Sequence, residues 1–334
     1  MDALKKWQTF VLVLLICLLA GCGAASEEKV KKQLAEKWAQ PEGYEVQAEM
    51  HVQSPEGAVS YQIEVWHTKP DYYRVSVTDQ DPEKNQLIVR NKEGVFVISP
   101  HLQKSYQFKS EWPLKHSQAY LIESLFRDIE SDKEAQFTEQ DKTYTFVTKT
   151  KHSHQQQLPK QTIEIDKKSL LPTRVVIHSE DGQEKMELDF KKIELGKIHT
   201  AADYEVDPFE KAKDETASAE LDDPQFETAY PLAELPGVEL VEEQVMETSR
   251  GKRVILHYSG EKSFTLVQEP AAPNELLPVF APGDPAPIDF QLGAMTDYSM
   301  QWEDNGVSYF LASTQLTTDE MIEVAASMSA ASQK

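Results

Sequence analysis

The run Lys69-Pro70-Asp71-Tyr72-Tyr73-Arg74-Val75-Ser76-Val77 opens on a turn and then alternates. A period of two puts Tyr73, Val75 and Val77 on one face of a strand and Tyr72, Arg74 and Ser76 on the other. Immediately upstream, Val59, Tyr61, Ile63 and Val65 alternate with Ser60, Gln62, Glu64 and Trp66 in the same way. Outward from this pair the pattern repeats at Gln86–Arg90, Val95–Ser99, Lys104–Phe108, Thr143–Thr148, Gln161–Asp166, Thr173–His178 and Lys185–Lys192. Turn residues separate the runs at Pro55-Glu56-Gly57, Asn91-Lys92-Glu93-Gly94 and Glu180-Asp181-Gly182. Short alternating strands joined by tight turns predict an antiparallel meander of about nine strands, with one apolar face, between Tyr44 and Phe209.

Two helical patterns accompany the strands. Over residues 27–40, Val30, Leu34 and Trp38 recur every four positions and form one apolar stripe, and Pro41 and Gly43 end it. Leu121, Ile122, Leu125, Phe126 and Ile129 repeat the spacing, with Ser117 after Pro113 as the expected N-cap. The predicted fold class is therefore mostly β (α+β): a large, curved, antiparallel half-barrel sheet capped by helices. A sheet of that kind can enclose an apolar cavity.

Residues 210–228 are dense in charge and poor in large apolar side chains, which is linker composition. Beyond them a small C-terminal α+β unit is expected over 229–334. Its strands read as Val238–Thr248, Arg253–Ser259, Ser263–Glu269, Phe290–Leu292, Ser299–Glu303 and Val307–Ser313, with a Pro/Ala-rich loop from Pro270 to Pro287. Asn305-Gly306 suits a hairpin, because both residues accept positive φ. Thr317-Thr318-Asp319-Glu320 fits a capping box ahead of a helix whose apolar side is Met321, Val324, Ala325 and Met328.

The other end of the chain bears on location. Lys5 and Lys6 precede an apolar run from Phe10 to Ala20, too short to span a bilayer well, and small residues follow. Leu19-Ala20-Gly21-Cys22 resembles the lipobox of bacterial lipoproteins. That resemblance implies a signal peptide over 1–21, lipidation of Cys22, and a tether over 22–28 leading into a body that spans 29–209. Two or more acyl chains hold a protein stably at a membrane where one holds only marginally. Localisation is thus expected at the extracytoplasmic face of the cell membrane. The chain carries 34 Lys+Arg against 56 Asp+Glu, a net charge of -22, which argues against nucleic acid and against adhesion through a basic patch. Its two cysteines are Cys17, inside the signal, and Cys22, so a mature chain starting at Cys22 has no disulfide and no Cys-ligated metal.

The "KP..YR" strand at Lys69–Val77, the run Leu87–Pro100 with its Asn91–Gly94 turn, and Tyr106 resemble the LolA-like and RseB-like lipoprotein-binding fold. Leu158-Pro159, Ile163–Pro172 and Asp207-Pro208-Phe209 resemble its later strands. The likeness covers roughly residues 28–209. It implies an incomplete barrel holding acyl chains or a peptide, and it puts the family's strand arginine at Arg74 as a ligand-binding residue. A solvated arginine on the sheet face is the competing reading of that position. With its anchor and extra C-terminal unit, the chain is similar to sporulation-associated lipoproteins of spore-forming Gram-positive bacteria. Partners implied by that likeness are a cell-wall-cleaving enzyme or another lipoprotein.

Catalytic patterns are not found. His152 and His154 sit in a polar stretch with no further paired ligands, and no nucleophile elbow, zinc-protease motif, phosphate loop or dinucleotide fingerprint occurs. Neither a cofactor nor a metal is expected, and the chain is expected not to be an enzyme. Two readings lead: an anchored adaptor for a protein partner, and a binder of acyl chains. A hydrolase with an unrecognised site stands far behind.

Overall fold

The computed structural model describes residues 26–54, 57–79, 85–99, 104–113, 117–150, 158–206, 226–233, 235–271, 279–288, 291–304 and 306–331. The protein is mostly β. Among the described residues are a twelve-stranded mixed sheet, a seven-stranded antiparallel sheet and three α-helices.

The large sheet is built on β1 (Gly43–Ser54), which pairs on one side with β2 (Gly57–Thr68) and on the other with β11 (Glu184–Leu195). Tyr44, Val46, Ala48, Met50 and Val52 alternate strictly with polar residues along β1, so its register can bury only one side. Gly43 is required where β1 begins. A Cβ there would lie 2.3 Å from the Lys197 carbonyl oxygen and 2.5 Å from that of His67. From β2 the meander runs through β3 (Tyr72–Thr78), β4 (Gln86–Asn91), β5 (Gly94–Ser99) and β6 (Lys104–Phe108). From β11 it runs back through β10 (Pro172–His178), β9 (Lys160–Asp166), β8 (Thr143–Lys149) and β7 (Gln136–Glu139). The described residues of the N-terminal region thus form eleven strands; β1 and the short β7 are additional to the nine read individually from the sequence.

Helices α1 (Glu27–Ala39) and α2 (Ile122–Ser131) close one face. Val30 and Leu34 of α1 meet Ile122, Leu125 and Ile129 of α2 and Tyr61, Val65, Phe146 and Ile163 of the sheet in one buried cluster. Trp38 packs edge-on to Phe126, and its indole donates to the Leu170 carbonyl at 2.7 Å. The expected N-cap on α2 is corrected. The helix starts at Ile122 with Leu121 in the cap position and no side-chain cap bond, while Ser117 is buried four residues earlier. Ser124 Oγ accepts from the Gln118 amide instead, so a side chain within the first turn ties down the segment ahead of it.

The second unit orders its sheet β12 (Val238–Thr248), β13 (Gly251–Gly260), β14 (Phe264–Pro270), β19 (Val307–Ala312), β18 (Ser299–Asp304), β17 (Gln291–Met295) and β16 (Asp284–Ile288). Helix α3 (Thr318–Ala331) buries Met321, Val324, Ala325 and Met328 against Leu256, Leu266, Trp302 and Leu311. Its capping box forms as expected. Glu320 Nα donates to Thr317 Oγ1 at 3.3 Å and Thr317 Nα to Glu320 Oε2 at 2.8 Å.

The expected loop from Pro270 to Pro287 is also corrected. Val279–Ala281 forms β15, which adds to β6 in parallel, so the large sheet is not purely antiparallel. Asp284–Ile288 forms β16 although Pro285 and Pro287 lie within it. Prolines are tolerated in an edge strand because no neighbour requires their amide, and a three-residue run of β15's length has no periodicity of its own to detect. Tyr106 on β6 hydrogen-bonds Glu303 on β18, and burial followed by the Glu303 charge pushes the phenol well above its ordinary range. Ala281 and Ala294 pack into the large unit's core. Asn305, the linker core and Asp207-Pro208-Phe209 lie outside the described residues.

Candidate functional site

The two sides of β1–β4 carry different chemistry at one end of the sheet. On the helix-covered side, register places Tyr44 opposite His67, His67 opposite Tyr73 and Tyr73 opposite Arg90. Cross-strand neighbours of this kind touch directly. His67 and Tyr73 stack at 4.3 Å, Tyr44 tilts against His67 at 5.0 Å, and Trp112 meets Tyr73 edge-on at 5.9 Å. Arg90 ends the row by donating to the Glu111 and Trp112 carbonyls.

Glu123, in the first turn of α2, reaches down to this row. Its Oε2 accepts from the Tyr44 hydroxyl at 2.6 Å, and its Oε1 lies 3.0 Å from His67 Nε2. His67 Nδ1 lies 2.9 Å from the Tyr72 carbonyl oxygen. A carbonyl only accepts, so Nδ1 carries a proton. Burial alone would raise the Glu123 carboxyl, but hydrogen bonding and charge from His67, together with the Tyr44 hydroxyl, hold it below its ordinary value. Burial pushes the Tyr44 phenol well above its ordinary range, and the Glu123 charge adds to this.

This arrangement does not leave a base poised for catalysis. His67 is only 3% exposed in its side chain, and both ring nitrogens are engaged. The network acts as a clamp that holds α2 over β1 and β2. A second polar tie lies further along the helix, where Gln161 Nε2 donates to the buried Asp128 at 2.8 Å. Sequence reasoning missed both. The signal for His67 was its parity: it continues the Tyr61, Ile63, Val65 series, which points to the core.

Arg74 lies on the other side of the sheet. It is opposite Trp66, with its guanidinium carbon 5.4 Å from the indole centroid. Trp66 is in turn stacked at 4.3 Å on His199, whose Nε2 is 2.7 Å from Glu45 Oε1. The 3-10 turn Ala201–Tyr204 packs Tyr204 beside Tyr72, and the Tyr204 and Thr68 hydroxyls are 2.9 Å apart. Burial lowers the guanidinium's proton affinity, while Glu64, Asp203 and Tyr204 oppose that shift. Arg74 is thus built into the packing of the 199–206 segment and is separated from the helix-covered core by the sheet itself.

Cys22, His152 and His154 lie outside the described residues. No group of three or more His, Cys, Asp or Glu side chains is arranged to hold a metal among the described residues. No described helix is long and apolar enough to cross a membrane.

A family model described as "Sporulation protein YdcC-like" matches residues 4–197. "Sporulation protein YdcC" of Bacillus subtilis (strain 168) is 36% identical over 342 aligned positions, covering 99% of this chain and 99% of that protein. Among solved structures, the Pseudomonas aeruginosa MucA/MucB complex aligns with TM-score 0.34 and 13% identity over 91% of this chain and 98% of the matched one. A structure of the CwlD amidase from Clostridioides difficile in complex with the GerS lipoprotein aligns with TM-score 0.32 and 14% identity, over 52% of this chain and 97% of the other. Matched by the family model over more than half its length and by the Bacillus subtilis protein over nearly all of it, the chain belongs to the YdcC-like family of sporulation proteins.

Proposed function

We propose that this protein is a noncatalytic adaptor of the cell envelope, anchored through lipidated Cys22 at the extracytoplasmic face of the membrane, which serves sporulation or germination by engaging a protein partner. The anchor reading rests on Leu19-Ala20-Gly21-Cys22 and the apolar run before it. The partner classes are those the sequence resemblance implies, a cell-wall-cleaving enzyme or another lipoprotein.

One observation favours a protein partner over an acyl chain. On the helix-covered side of the large sheet Leu34, Leu121, Ile122, Leu125, Ile129 and Phe146 are each at most 1% exposed and pack against one another and the sheet. An acyl chain entering there would have to displace packed residues, each contributing roughly 1.5–3 kcal/mol by burial.

The anchor is tested by palmitate labelling. Wild-type protein should take up label and sediment with membranes, whereas Cys22→Ala should take up none and move to the soluble fraction. Equal retention of the variant in the membrane pellet would defeat the anchor. The choice of ligand is tested by native mass spectrometry of the released body, where stoichiometric lipid would favour the acyl-chain reading. A partner should crosslink to the anchored protein in sporulating cells.

A further inference from the structure

Sheets end in edge strands, and natural proteins blunt them by shortness, proline, charged side chains or bulges to prevent unwanted pairing. Three of the four edges here follow that rule. β7 has four residues, β15 has three, and β16 carries Pro285 and Pro287 within five. The fourth edge, β12, is long, and only one bulge and its acidic side chains guard it. The strand runs eleven residues, contains neither proline nor lysine, and pairs only with β13 among the described residues. Its one irregularity is a register shift between Leu240 and Glu242, which leaves Glu242–Thr248 regular. Val241 is 63% and Val245 54% exposed, and Leu240 and Met246 are open as well.

We propose that β12 is a docking edge which accepts an extended segment of a partner protein as an eighth strand, and that the segment alternates apolar with basic side chains. Backbone pairing would supply affinity and the alternation specificity, as in strand-addition recognition generally. Charge selects the occupant. Glu239, Glu242, Glu243 and Glu247 make the strand uniformly acidic, with no basic residue along it. A second copy would set the same carboxylates against each other across the new ladder, which is destabilising. A lysine- or arginine-bearing strand instead matches the edge, and long-range attraction to a chain of net charge -22 speeds its encounter.

The proposal rests on the adaptor reading and locates its binding surface. Its test uses full-length protein in detergent and a labelled peptide of about ten residues alternating lysine and valine, long enough to cover a typical strand. Binding is followed by anisotropy, and backbone protection by hydrogen exchange. The peptide should bind and slow exchange within Glu242–Thr248, and a version with glutamate in place of lysine should not bind. Val245→Lys, which blunts the edge, should weaken binding at least about tenfold, or ~1.4 kcal/mol. The double variant Glu239→Lys/Glu242→Lys, at exposed positions, leaves two carboxylates against two lysines on the strand and should abolish the preference for the lysine peptide. Equal binding of both peptides by the wild type, protection away from β12, or a wild-type dimer dissolved by Val245→Lys would each overturn the proposal. If Val245→Lys still crosslinks its partner in sporulating cells, the adaptor reading survives and the docking edge fails.

Discussion

The two sheets deal with their surfaces in opposite ways. The twelve-stranded sheet is covered on one side by α1 and α2 and, at one end of the other side, by the 199–206 segment, and both of its edges are short. The seven-stranded sheet is covered by α3 on one side of its core, but it ends at β12 in a long strand exposed along nearly its whole length. A sheet enclosed by its own chain is a scaffold. A sheet left open at one edge is a surface still available to something else. The contrast predicts where substitutions will unfold the protein and where they will leave it folded.

The largest effect belongs to the enclosed core. Phe146 is fully buried on β8, between Phe137 and the underside of α2. Phe146→Ala should cost about 3–5 kcal/mol, from lost transfer energy and the cavity left behind. Chemical denaturation should show a lower midpoint. A loss below ~1 kcal/mol would mean that the inner side already has room, and the acyl-chain reading would regain ground.

The clamp comes next. Glu123→Gln keeps the shape at Tyr44 and His67 but removes the charge. The Glu123 side chain is 38% exposed, so solvent screens part of its interaction, and the expected loss is about 1–3 kcal/mol. Because the folded-state carboxyl titrates below its ordinary 4.5, its contribution is fully present above that pH and disappears as pH falls through the lower folded value. Wild type and variant should therefore differ most at neutral pH and converge in acid. Melting curves across that range check the sign, and a gap that widened in acid would contradict it.

Much of this architecture was legible in the sequence because its signals are periodic. Val30, Leu34 and Trp38 specified the buried stripe of α1, and the Thr317/Glu320 capping box specified the start of α3. What escaped was set by partners distant in sequence. β15 is a strand only because β6 offers it an edge, and β16 tolerates two prolines because no described strand pairs beyond it. Glu123 is meaningful only once α2 is laid over His67, 56 positions away in the chain. Arg74 was singled out by motif, and its environment could be read only from the structure. Its parity, opposite to Val75, already placed it away from the core face, and the structure packs it against Trp66.

The capping box gives a smaller effect in the second unit. Thr317→Ala removes the acceptor for the Glu320 amide and the hydroxyl donor to Glu320 Oε2. Such losses cost about 1 kcal/mol. Thermal melting should fall by a few degrees while the large unit's helix content, read by hydrogen exchange in α1 and α2, stays unchanged. A loss of protection there would mean that the two units unfold as one, through the β6–β15 pairing and the Tyr106–Glu303 bond.

The smallest effect is expected where the most apolar surface is open. Val245 lies opposite the fully buried Val254, yet its own side chain points largely into solvent, so it adds little to the core beneath. Val245→Ala should therefore change stability by no more than about 0.5 kcal/mol. Retaining an exposed valine on a long edge strand brings the fold little stability and adds a pairing hazard. That imbalance fits a strand kept for contact with another chain. A measured loss above ~1.5 kcal/mol would mean that β12 is held by core packing like its neighbours, and the contrast between a closed sheet and an open one would vanish.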